Sequence, residues 1–175
     1  GLSSGGMNAW FPTPERLYCF QKNNAKASTL DPFRFMARNA HEHEIDLLFY
    51  LTPMHASFFV QLEEAGLSPR YEWLLRELVQ ILEEEADRVG KEPHVIWDFS
   101  YPNDITQEPL PEYSDVSPMK WYWEFSHYRE ELGGKILDRI LNRELSEQNG
   151  IKDFGQQISI QNINDHIEMT RRKKQ

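Results

Sequence analysis

The chain is poor in cysteine, in basic charge and in long apolar runs, and each shortage closes off a class of function. A single cysteine, Cys19, among 175 residues makes neither an internal disulfide nor a cysteine-based zinc cage, and it leaves the redox compartment open. Nineteen Lys and Arg stand against 28 Asp and Glu, a formal charge of −9, and Arg171, Arg172, Lys173 and Lys174 crowd the last five positions. A phosphate-backbone binder needs a basic face, so no nucleic-acid partner is expected. The longest apolar run, Leu47 to Leu51, is far short of the roughly 20 residues that cross a bilayer. The opening residues lack a charged-then-apolar leader pattern, and no membrane contact is expected from this segment. What the chain does hold is material for a core: 39% hydrophobic and 13% aromatic residues against 27% charged, unlike a disordered polyampholyte.

The length suits one domain. Gly1 to Gly6 is small and polar, so residues 1–9 read as a flexible lead or cloning remnant, ordered chain is expected from near Trp10, and the domain covers 10–175. Asp31 as N-cap, Pro32 after it, and Phe33, Met36, Ala37 and Ala40 at helical spacing predict a helix to about Glu44. Ile45 to Leu51, nearly continuous in apolar character and closed by Thr52-Pro53, predicts a strand covered on both faces. A short helix over Ala56 to Ala65 is ended by Gly66. Ser68-Pro69 starts another, whose stripe Tyr71, Leu74, Leu75, Leu78, Leu82 and Val89 ends at Gly90. His94 to Phe99 predicts a second strand, parallel to the first because helices join the two. Ser100 to Trp123 holds four prolines, Pro102, Pro109, Pro111 and Pro118, and far exceeds the usual connection of about 4–6 residues. Trp121, Tyr122 and Trp123 at its end predict an ordered loop packed back on the body. A helix over Arg129 to Arg143 with Leu132, Ile136, Leu137, Ile140 and Leu141 inward, and a terminal helix over Ile158 to Arg172 with Ile160, Ile163, Ile167 and Met169 inward, complete an α/β chain. There is no internal repeat.

Ligands of open parallel sheets bind beyond the carboxyl ends of the strands, which directs attention to Thr52 to His55 and to Asp98, Ser100, Tyr101 and Asn103. His55 either lines a site or caps the helix that begins there. Asp98 and Asn103 either bind a substrate hydroxyl or turn their loop by accepting backbone donors. Glu124-Phe125-Ser126-His127 places a carboxylate three residues before an imidazole, an orienter beside a base; the plainer alternative makes His127 a capping or packing residue. Trp121 and Trp123 are a platform for a sugar ring or part of a packed loop. His41-Glu42-His43-Glu44 resembles a metal cluster only on paper, since helical residues two apart point to different faces; no metal and no cofactor are expected. His94 and His166 are expected at the surface or its boundary, Glu83-Glu84-Glu85 as a solvated helix face, and Arg171 to Lys174 opposite a helix's negative end.

Taken in order, "FYLTPMHA", "IWDFSYPNDITQEPLP", "WYWEFSHYREELGGKILDRIL" and "DFGQQISIQNINDHI" resemble the carboxyl-terminal half of bacterial SGNH/GDSL-type hydrolase-like proteins, and more narrowly an envelope-associated group of them. The likeness covers roughly Phe33 to Arg172. It implies a three-layer α/β/α fold of flavodoxin-like SGNH type with a mainly parallel sheet, incomplete at its amino-terminal side. It also implies a serine esterase or O-acyltransferase acting on acyl esters, plausibly of envelope carbohydrate, with His127 as general base and Glu124, in place of the commoner aspartate, as its orienter. His55, Asp98, Asn103, Trp121 and Trp123 are the expected substrate-binding residues. The family's Gly-x-Ser turn after a first strand has no counterpart, since Gly1-Leu2-Ser3 follows no strand. The nucleophile is therefore expected from an amino-terminal portion of the same protein, and the envelope or periplasm follows from the resemblance alone. A non-catalytic glycan-binding or scaffold protein on the same fold is the competing expectation. A sheet lacking strands exposes an edge, which predicts a homo-oligomer.

Overall fold

The computed structural model describes residue 28 and residues 30–111, 119–141 and 153–173. The lead, the start near Trp10, Cys19, Pro118 and the end of the helix expected to reach Arg143 lie outside the described residues. Within them the protein is mixed α/β, five helices with a three-stranded sheet and a separate two-stranded hairpin.

Helix α1 spans Asp31–Glu42 with Pro32 in its first turn, as expected, but its N-cap is Leu30. Asp31 lies inside the helix, and its carboxylate accepts the Ser28 N–H at 2.8 Å. The helix runs out in a Schellman turn: Ile45 N–H reaches the Ala40 carbonyl at 2.8 Å, Glu44 N–H reaches that of His41 at 3.3 Å, and Glu44 takes the left-handed φ of 56°. That turn consumes the first residues of the expected strand, so β1 covers only Leu48–Leu51. Gly66 and Gly90, at φ 67° and 65°, close helices α2 (Ser57–Glu64) and α3 (Ser68–Asp87) with the same two-bond turn. Glycine takes this conformation without a Cβ penalty, which is why these two stops were readable.

Strand β2 (Val95–Asp98) runs parallel to β1, Leu48 opposite Val95 and Leu51 opposite Asp98. The long connection ends in a hairpin of β3 (Tyr122–Glu124) and β4 (His127–Tyr128), followed by α4 (Glu130–Ile140). The stretch from Ile158 is not helical throughout. Gln156–Ile158 forms β5, antiparallel to β2 with Ile158 opposite Ile96. Asn162 then accepts the Ser159 N–H on its side chain at 2.8 Å, and the helix, α5, starts only at Ile163 and ends at Lys173. A turn built on an Asn side chain competes with helix for the same backbone donors. The sheet thus has one parallel and one antiparallel pair in the order β1-β2-β5. Gly155, at φ 79°, precedes β5, where any Cβ would overlap the fully buried Phe99 ring.

Successive residues of β2 point to opposite sides and enter two different cores. Ile96 and Ile158 join Ala37, Leu75, Leu78, Val79, Leu82, Ile163 and Ile167 of α1, α3 and α5. Trp97 and Phe99 join Tyr122, Leu132, Ile136 and Phe154, so α4 and the hairpin belong to the second core. Val89, Leu137 and Leu141, expected inward, are exposed: Val89 lies beyond the last turn of α3, and Leu137 and Leu141 flank the stripe that Leu132, Ile136 and Ile140 fill. Glu85, expected in water, is 1% exposed. It sits three residues beyond Leu82 on the inward stripe of α3, where Arg34, Arg38 and Arg88 surround it.

Candidate functional site

The hairpin is held at both ends. Glu108 accepts the N–H groups of Lys120 and Trp121, each at 2.9 Å. Tyr122 is fully buried, and the Arg129 N–H bonds the Trp121 carbonyl at 2.8 Å. At the tip, the Phe125 carbonyl accepts the His55 N–H at 3.0 Å, which docks the turn against the chain leaving the carboxyl end of β1. Tyr122 faces Tyr128 and Glu124 faces His127, with a bulge between. The Tyr50 and Tyr128 hydroxyls lie 3.4 Å apart, and that contact, together with burial, pushes the Tyr128 pKa up to about 12.

This geometry joins Glu124 to His127. The carboxylate contacts His127 Nδ1 directly. It also accepts the Ser126 N–H at 2.9 Å and the Ser126 hydroxyl at 2.8 Å, and that hydroxyl lies 3.1 Å from Nδ1. Partial burial works to raise the Glu124 pKa, but the Ser126 N–H, the imidazole and the Ser126 hydroxyl outweigh it and hold the pKa below the ordinary carboxylate value. With Nδ1–H turned to the carboxylate, the neutral imidazole carries its lone pair on Nε2, which has no partner among the described residues. The side chains are 73% and 44% exposed, so Nε2 is accessible from solvent.

The other expected residues are placed differently. His55 is buried with both nitrogens engaged: Nδ1 accepts the Ser57 N–H at 3.1 Å, and Nε2–H donates to the Glu108 carbonyl at 2.8 Å. It thus takes up the first N–H of α2, whose N-cap is Ala56, and it abuts Tyr122, ring centroids 5.5 Å apart. Asp98, 1% exposed, accepts the Ser100 N–H at 2.7 Å and hydroxyl at 2.5 Å on one oxygen, and meets His166 Nε2 at 2.7 Å on the other. Asn103 closes its own loop, accepting from Ile105 and Thr106 at 3.0 and 3.2 Å and donating to the Tyr101 carbonyl at 2.9 Å. Neither Asp98 nor Asn103 joins the hairpin. Trp121, just before β3, is half-buried, and Trp123, beside Glu124 on that strand, is 67% exposed.

His166, expected near the surface, is buried. It links Asp98 to Gln156, 2.9 Å from Nδ1, and the Tyr71 hydroxyl extends the chain to Ser100 at 2.6 Å. Burial, with the Asp98 charge, pushes the Tyr71 pKa strongly upward. The available signal was position: His166 follows Ile163 by three residues and precedes Ile167, on the buried stripe of α5. Among the described residues no group of three or more His, Cys, Asp or Glu gathers to hold a metal ion, and His41 instead stacks on His94 with centroids 3.9 Å apart. A cavity of about 660 Å³ lies away from the hairpin, between Phe59, Val60, Pro69, Pro102 and the Glu72–Arg171 ion pair.

Fold and site together define a mixed α/β protein that displays an oriented imidazole on a hairpin docked at the carboxyl end of its parallel strands. No family model, no curated protein and no solved structure matches the chain.

Proposed function

We propose that this chain is the base-bearing part of an SGNH-like serine esterase or O-acyltransferase acting on the acyl esters of an envelope carbohydrate. The single observation that carries the reading is the Glu124–His127 contact at Nδ1, which leaves Nε2 unpartnered. His127 Nε2 takes the proton of a serine hydroxyl, donated by polypeptide outside the described residues, as that oxygen attacks the ester carbonyl. Glu124 stabilises the imidazolium at Nδ1. The proton then passes to the departing alkoxide, and water or an acceptor alcohol repeats the sequence on the acyl-enzyme. The separate cores on the two sides of β2 support a three-layer arrangement, to which further parallel strands would add at β1. The exposed Trp123 favours a second reading, a glycan-binding protein without turnover.

The test is hydrolysis of short acyl esters by the intact protein, together with labelling by a fluorophosphonate. A labelled serine and a loss of about 10²–10⁴-fold in kcat on His127→Ala are expected. Absence of any labelled serine, or full activity in the variant, rejects the enzyme.

A further inference from the structure

We infer that the hairpin docks a carboxylated oligosaccharide, with sugar rings against Trp123 and Trp121 and carboxylates on Arg129, Lys120 and Lys135. This names the class of carbohydrate within the proposed function, and it rests on that reading only for the bound sugar being the substrate.

Three cations converge on two indoles. The Arg129 guanidinium lies 3.8 Å from the Trp123 ring centroid, and the Lys120 and Lys135 ammonium groups lie 4.3 and 5.3 Å from that of Trp121. In a chain of net charge −9, none of the three makes an ion pair with another described residue; the carboxylate-paired cations are elsewhere, at Arg34, Arg38, Arg88, Arg171 and Lys173. Arg129 is fixed on the hairpin, its Nε–H donating to the Tyr122 carbonyl at 3.3 Å and its backbone N–H to that of Trp121. Its remaining guanidinium donors have no partner among the described residues.

Cation–π contact holds each charge in place without neutralising it. A planar guanidinium matches a carboxylate in two-point contact, and an exposed indole offers a flat apolar face to the C–H groups of a sugar ring. Trp121 directly precedes β3 and Trp123 lies within it, so neighbouring sugars can each meet a ring and a cation. The same elements would suit a single-stranded nucleic acid, but Glu108, Glu124, Glu130 and Glu131 border the patch. The free hydroxyls of a uronate oligomer can donate to those carboxylates, whereas a deoxyribose-phosphate backbone has no such donor.

The experiment is titration of the intact protein with hexagalacturonate, neutral galactohexaose and a single-stranded DNA hexamer, read by tryptophan fluorescence and calorimetry. Hexagalacturonate should bind, weaken by about tenfold in Trp123→Ala and in Arg129→Gln, and weaken further at high salt. The Lys120→Gln/Lys135→Gln double variant, altered only at side-chain ends, should also bind less tightly with an unchanged melting temperature. Equal binding of the neutral sugar, tighter binding of DNA, retention of affinity in Trp123→Ala, or no binding overturns the inference. Selective binding in a protein whose esterase rate survives His127→Ala upholds the inference and removes only the catalytic reading.

Discussion

A histidine's surroundings decide whether it can act, and three imidazoles in this protein show the range. His55 spends both nitrogens inside the fold, His166 lies between a carboxylate and an amide, and His127 is oriented by a carboxylate on one side with no partner for its second nitrogen among the described residues. Glutamate serves as orienter because both its oxygens are also anchored by Ser126, which limits the freedom of the longer side chain. Glu124→Gln keeps the shape but cannot offset an imidazolium charge, so kcat should fall at least about tenfold with little change in KM, measured by steady-state ester hydrolysis. Asp98 makes the opposite case. Its replacement by alanine strips Ser100 and buried His166 of their acceptor, and should cost about 3–5 kcal/mol in urea unfolding, while hexagalacturonate affinity of the folded protein stays unchanged.

Between elements, the α1–α3 contact is set by a carboxylate as much as by apolar packing. Glu85 receives Arg34 at 2.9 Å, Arg38 at 2.8 and 3.0 Å, and Arg88 at 3.2 Å. The Arg38 bonds, followed by those of Arg34 and against the opposition of burial, bring its pKa from 4.5 to about 2. The folded value lies below the unfolded one, so this stabilisation is complete above the unfolded pKa and is lost as pH falls from about 4.5 towards 2. Glu85→Gln should cost roughly 2–4 kcal/mol at neutral pH and should flatten the acid decline in urea-measured stability over that window. The stripe through Leu75, Leu78 and Leu82 already contained position 85, yet three consecutive glutamates read as a wet face. Arg34 and Arg38 of α1, about fifty residues earlier, join Arg88 in making its burial tolerable.

For the molecule as a whole, β1 pairs only with β2 among the described residues, and Leu48, Tyr50 and Val95 on one side of that pair are partly exposed. An unpaired edge beside apolar side chains invites another strand. Sedimentation equilibrium should show association rising with protein concentration, and Leu48→Lys should shift the chain to monomer by placing a charge on the edge strand. What the sequence determined by itself was local: helix starts at Pro32 and Pro69, left-handed stops at Gly66 and Gly90, the parallel pair joined through helices, and the three-residue reach from Glu124 to His127. Each is settled within one turn of chain by backbone sterics or side-chain length. The tertiary structure alone decided that Asp98 meets a histidine 68 residues away, that β5 runs antiparallel, and that the hairpin tip docks on the His55 N–H. These choices follow from burial, where each polar group must find a partner wherever the folded chain supplies one, and periodicity carries no record of which partner that is.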